Sequence, residues 1–155
     1  MTYARLGIAF AFAVLLAGCA TPPESKGKLD PASVSFIEPK DLKWVPNAAG
    51  TALTAVLYGD PNKPGLYVVR YIWKAGNMSR PHFHPNDRLI VVLSGTWWVG
   101  TGEVFDPSST VPMRAGTQVV HYGKQIHYDG AKDEDAVIQI LGIGPATSTP
   151  AERKL

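Results

Sequence analysis

The stretch Gly76-Asn-Met-Ser-Arg-Pro-His82-Phe-His84-Pro-Asn-Asp-Arg88-Leu-Ile-Val-Val-Leu-Ser-Gly95 decides the fold. Residues two apart on a strand point to the same face. His82 and His84 can therefore present two imidazoles side by side to one ion. The run Leu89-Ile-Val-Val-Leu93 is apolar and partly β-branched, as strands prefer. Ser94-Gly95 separates it from Thr96-Trp-Trp-Val99 and fits a tight hairpin. Counting on from His84, Arg88 has the same parity, so an unbroken strand turns its guanidinium to the histidine face. Pro85 is the residue that would disturb this register.

Outward from this stretch, short apolar runs alternate with turn clusters. Strands are expected over 53–58, 66–73, 88–93, 96–99, 118–122, 126–128 and 136–143. The breaks are explicit: Gly59-Asp-Pro-Asn-Lys-Pro-Gly65 suits neither helix nor central strand. Gly100-Thr-Gly102 and Asp106-Pro107 close another strand. From residue 34 onward no segment holds a helical period, and there is no internal repeat. Many short strands with regular turn punctuation predict an all-β sandwich or barrel.

With 155 residues, 45% of them hydrophobic and 18% charged, the chain suits one globular β domain. The formal charge of +2 is spread over scattered Lys and Arg residues. No basic stripe tracks a phosphate backbone, so nucleic acid is not an expected partner. The one cysteine, Cys19, rules out an internal disulfide. It follows an apolar run over 6–16 headed by Arg5, which is of signal-peptide length and short of the about 20 residues of a membrane span. Leu16-Ala-Gly-Cys19 resembles the lipobox of bacterial lipoproteins. By that resemblance the chain is exported, cut before Cys19 and anchored by acyl chains on its thiol. Ala20 rather than Asp follows the cysteine, which points to an outer-membrane anchor facing the periplasm. The expected organisation is a leader over 1–18, a Pro-rich tether over 19–33, a barrel over 34–145 and an irregular tail over 146–155.

The four histidines are His82, His84, His121 and His127. His127 must come from a strand other than that of the first two. Three neutral imidazoles with open positions beside them suit Zn, Fe, Mn, Ni or Cu. His121 is either a further ligand or a group backing the ligands if it faces inward, or an exposed or satisfied strand histidine; the second is the stronger expectation. Asp129-Gly130 reads first as a turn, with an Asp129 that orients His127 as the alternative. Trp97 and Trp98 are adjacent, so one faces the interior and the other is exposed or at a contact. Tyr122 and Tyr128 flank His127 and are candidates for the rim of a pocket.

Residues 76–95 resemble the first motif of the cupin proteins, Gly-x5-His-x-His-x3-Glu-x6-Gly, with Arg88 in the Glu position. The second motif, Gly-x5-Pro-x-Gly-x2-His, is matched at Gly116 and His127, while Tyr122 and Lys124 hold its Pro and Gly positions. The resemblance covers roughly residues 34–145. It implies an antiparallel jelly-roll barrel, frequent homodimers, and a divalent metal on His82, His84 and His127. The carboxylate ligand does not carry over.

Arg88 leaves three readings open. Three histidines alone hold the metal and Arg88 clamps a substrate carboxylate or phosphate. Alternatively, Asp87 supplies the lost carboxylate through a bulge. In the third, no metal binds and the pocket takes an anion or small molecule. A guanidinium that snorkels to the barrel mouth is the plain alternative to all of them. The sequence has no nucleophile–base pair and no phosphate loop. The functional expectation is a metal-dependent cupin enzyme, an Fe oxygenase being one form, acting on a small organic anion. A non-catalytic ligand-binding or sensing module without metal is the alternative. Metabolic labelling with palmitate checks the N-terminal expectation: the wild-type chain incorporates label and fractionates with membranes, and Cys19→Ser loses both.

Overall fold

The structure is a computed structural model that describes residues 27–154. The leader, Cys19 and the start of the tether lie outside the described residues. The described residues from Gly27 to Ser35 belong to a unit of their own, in which the Ser33 and Val34 amides both donate to the Asp30 carbonyl at 3.0 Å. The second unit begins at Phe36 and carries the strands. No helix among the described residues is long and apolar enough to cross a membrane.

The strands in chain order are β1 (Val45–Pro46), β2 (Ala52–Tyr58), β3 (Gly65–Trp73), β4 (His82–Phe83), β5 (Arg88–Ser94) and β6 (Thr96–Thr101), then β7 (Val111–Arg114), β8 (Gln118–His121), β9 (His127–Gly130), β10 (Ala136–Gly144) and β11 (Thr149–Pro150). They form two antiparallel sheets, one ordered β1-β2-β3-β10-β5-β8 and the other β11-β4-β9-β6-β7. The expected all-β jelly-roll architecture is what the chain adopts. Alternation is plain on β10, where Ala136, Ile138 and Ile140 are buried and Leu141 and Ile143 face out. Ile90, Val92, Trp97, Ile138 and Val69 fill the space between the sheets.

Several expectations need correction. The Ser94-Gly95 break is not a hairpin, because β5 pairs with β10 and β8 while β6 pairs with β7 and β9. Gly95 instead turns a corner between the sheets. Its φ of +70° and the Asp135 carbonyl oxygen pressed where a β-carbon would stand both require glycine. The tail expected to be irregular adds β11, which pairs with β4. Asp129-Gly130 is not a turn but the end of β9, paired with β6. Strand β7 was unmarked by the sequence pattern; it tolerates Pro112 because it lies at a sheet edge.

Gly100 does not close β6 but lies within it, since β6 runs on to Thr101. The Tyr128 ring lies over Gly100 where a side chain would project. That ring is 1% exposed, and its hydroxyl donates to the Asp106 carbonyl at 3.0 Å. It has nowhere to retreat. Gly100→Ala should therefore lower unfolding free energy by about 1–3 kcal/mol, as overpacked cores do, read from urea denaturation midpoints.

Candidate metal centre

Two cross-strand pairs build the site. His82 stands directly opposite His127 between β4 and β9, and Arg88 directly opposite His121 between β5 and β8. Directly opposed side chains are nearest neighbours on a sheet face. Each sheet thus delivers one pair to the space between them. His84, two residues past His82, joins from the same side. Ring centroids lie 4.6 Å apart for His82 and His127, 4.9 Å for His82 and His84, and 3.9 Å for His121 and His127.

Backbone carbonyls decide what these imidazoles offer. Nδ1 of His82 lies 2.8 Å from the Arg80 oxygen, that of His84 2.9 Å from the Thr147 oxygen, and that of His127 3.0 Å from the Gln125 oxygen. A carbonyl only accepts, so each Nδ1 carries the proton and donates it, and each Nε2 keeps its lone pair. The ligand atoms of the three residues lie within 4.8 Å of one another, and Nε2 of His82 is 3.1 Å from Nε2 of His84. Two lone pairs at that distance repel unless a cation sits between them. Bonds of about 2.0–2.1 Å at tetrahedral or octahedral angles put two ligand nitrogens roughly 2.9–3.4 Å apart. The donor set therefore fits a divalent ion that prefers nitrogen.

His84, His121 and His127 stay neutral. Burial, then the Arg88 charge, pushes His84 down to about 3. Burial holds His127 down to about 4 against the pull of Asp129, and holds His121 down to about 2.

Arg88 points inward rather than snorkelling, because its cross-strand partner His121 is on the inner face. Its Nη2 donates to Nδ1 of His121 at 3.2 Å and to Nε2 of His127 at 3.3 Å. Its Nε is buried with no acceptor among the described residues. Burial opposes the guanidinium charge, and Asp129 offsets part of that cost. An arginine nonetheless keeps its proton at any pH the fold survives.

His121 is not an outer strand histidine. It is 6% exposed, its ring is 5.3 Å from Trp97, and Nε2, which carries its proton, has no acceptor among the described residues. Asp129 is 5% exposed. Trp97 Nε1 donates to one of its oxygens at 3.2 Å, and the other lies 4.0 Å from His127 Nε2. Parity was the available clue, since Asp129 stands two residues after His127 just as His84 stands two after His82. Asp87 is exposed and accepts from the Gly123 amide at 2.7 Å, so it holds the loop before His127 and does not reach the histidines. Tyr122 is 64% exposed on that loop and does not line the cavity beside the histidines. Tyr128 points to the opposite side of β9 from His127, toward Asp106 and Phe105. Trp97 is the interior member of its pair, and Trp98 is half-covered by the Lys132 ammonium, 3.7 Å above its ring.

The site opens into a cavity of about 510 Å³. Its walls are largely apolar, including Tyr67, Tyr71, Trp73, Trp97, Ile138 and Ile140, and His82, His84, Arg88 and Asp129 supply charge and hydrogen-bonding groups. Asp129 is the one carboxylate in that lining among the described residues. An enclosure of this size and character holds a small molecule with an apolar body and a polar head.

Comparison with solved structures agrees with this architecture. The chain is similar to the polyketide cyclase RemF from Streptomyces resistomycificus, with a TM-score of 0.63 and 14% identity over 78% of this chain and 87% of that one. It is also similar to KdgF from a Halomonas species (TM-score 0.55, 19% identity, 78% and 96% covered). An RmlC-like cupin protein from Ralstonia eutropha is a third (TM-score 0.57, 16% identity, 71% and 68% covered). No protein-family model matches the chain, and no curated protein does. The fold is the double-stranded β-helix of the cupins.

The depressed histidines set a pH dependence. Unfolded histidines titrate near 6.5. Below that value the unfolded chain takes up protons that His84, His121 and His127 refuse in the folded state, so acid favours unfolding. Stability is full above about pH 7 and should fall by roughly 1 kcal/mol per pH unit for each of these residues between pH 6 and pH 4. Urea midpoints of metal-free protein at pH 7 and pH 5 test this, and His121→Asn should shrink the difference.

Proposed function

We propose that this protein is an envelope-anchored cupin that binds a divalent metal through His82, His84 and His127 and acts on a small organic anion. The observation that carries it is the convergence of three Nε2 lone pairs, each fixed by a carbonyl on the far side of its ring. A metal bound there supplies Lewis-acid or oxygen chemistry. The chain's own residues do the rest. The aromatic and aliphatic walls seat the apolar body of the ligand and exclude water. Arg88 gives a fixed cation for its carboxylate or phosphate. The free oxygen of Asp129 is placed to accept a proton from a ligand beside His127. The polyketide cyclase among the similar structures supports an enzymatic role, and the lipobox-like Leu16-Ala-Gly-Cys19 supports export and a lipid anchor.

A second reading is favoured by one observation. Arg88 Nη2 occupies the His127 lone pair, which suits a metal-free ligand-binding module with a guanidinium at its centre. Elemental analysis of purified protein separates the two. Near-stoichiometric Zn, Fe, Mn, Ni or Cu in the wild type, lost in His82→Ala and His127→Ala, is the expected result. No metal after reconstitution with any of the five would establish the metal-free module instead.

A further inference from the structure

His127 has one lone pair to give, because its other nitrogen donates to the Gln125 carbonyl at 3.0 Å. Two cations have a claim on it. One is the ion that the Nε2 atoms of His82 and His84 would share with it. The other is already in place: Arg88 Nη2 donates to that same Nε2 at 3.3 Å. A nitrogen lone pair cannot serve a metal and a guanidinium proton together. The groups around the guanidinium also form a cation site in their own right, since His121, His127 and Asp129 bring ligand atoms within 4.8 Å of one another. Arg88 acts as the resident cation of that cluster, and His127 is the member common to both.

We propose that the Arg88 guanidinium is an internal competitor for the metal, so that ion and guanidinium exchange at Nε2 of His127 and Arg88 sets the affinity of the site. This rests on the three-histidine metal reading and adds its control. Three observations support exchange rather than a permanent block. Both hydrogen bonds from Nη2 are long, at 3.2 and 3.3 Å. The Arg88 Nε is buried without an acceptor among the described residues, so the present position leaves a donor unsatisfied there. The side chain also borders the cavity, so it has open space to withdraw into. An anion in that cavity offers the displaced guanidinium a better partner than an imidazole does. Metal and anionic ligand then promote each other's binding, since coupling between two sites is reciprocal.

The test is a zinc titration of the purified protein against a chromophoric chelator, with wild type, Arg88→Met and Arg88→Gln compared. Met fills the volume without charge or donor, and Gln removes the charge while keeping an N–H. Arg88→Met should bind Zn²⁺ at least tenfold more tightly than wild type, with Arg88→Gln between them. In the wild type, one equivalent of Zn²⁺ should shift the Arg88 Nε–H resonance, assigned from its absence in Arg88→Met or by sequential labelling. Zinc binding of equal or lower affinity in both folded variants overturns the competition, as does zinc bound by the wild type with the Arg88 resonance unmoved. Zinc bound by the variants and refused by the wild type overturns the exchange, since Arg88 is then a permanent block of the site. Zinc refused by all three removes the metal reading itself, and the competition with it.

Discussion

A neutral imidazole holds one proton and one available lone pair, and whichever nitrogen keeps the proton determines what the ring can do. In His82, His84 and His127 that choice is made by three backbone carbonyls, from Arg80, Thr147 and Gln125. Their effect is to aim three lone pairs at one place, and burial keeps protons off two of the rings, His84 and His127. Everything else at the site answers to that constraint. The cross-strand register places the rings, burial holds down the basicity of His84 and His127, and the charge they face is either a metal ion or the guanidinium of Arg88.

The position of Arg88 follows from ordinary strand geometry. Its parity with His82 and His84 places it on the inner face, and its register partner His121 is there to receive it. Charge then has to be compensated inside the barrel. Asp129, the buried carboxylate among the described residues, offsets part of that charge and is steadied by the Trp97 indole. The carboxylate of the usual cupin pattern is missing from β5, and an acid stands on β9 instead.

Much of this was legible in the sequence. The histidine spacing, the glycines at 76 and 95 and the apolar runs located the barrel and most of its strands. Period-two alternation also carried Arg88 to the right face. What failed had physical causes. Ser94-Gly95 looks the same whether a chain folds back on its neighbour or crosses to another sheet, because the local torsions are alike. Asp129 was read as a turn residue because a buried acid is recognisable only once its partners are known, and Trp97 lies 32 residues away. His121 was expected first as an exposed or satisfied strand histidine, and its inward place beside Trp97 is visible only in the fold. Tyr122 looked like a pocket residue by its nearness to His127 in the chain, but the loop held by Asp87 turns it to solvent. The carbonyls that orient the rings belong to residues of no special type, and no pattern of side chains could announce them.

The two pairs that make the site come from different sheets, His82 and His127 from one and Arg88 and His121 from the other. Between them, the Arg88–His127 hydrogen bond is a stitch across the sandwich. Exchanging that stitch for an ion gathered on the histidines would leave the six-stranded sheet without its tether at this point. The mouth of the barrel would be freer to breathe with metal bound than without it, until a ligand spanning Arg88 and the histidines sewed the two layers together again.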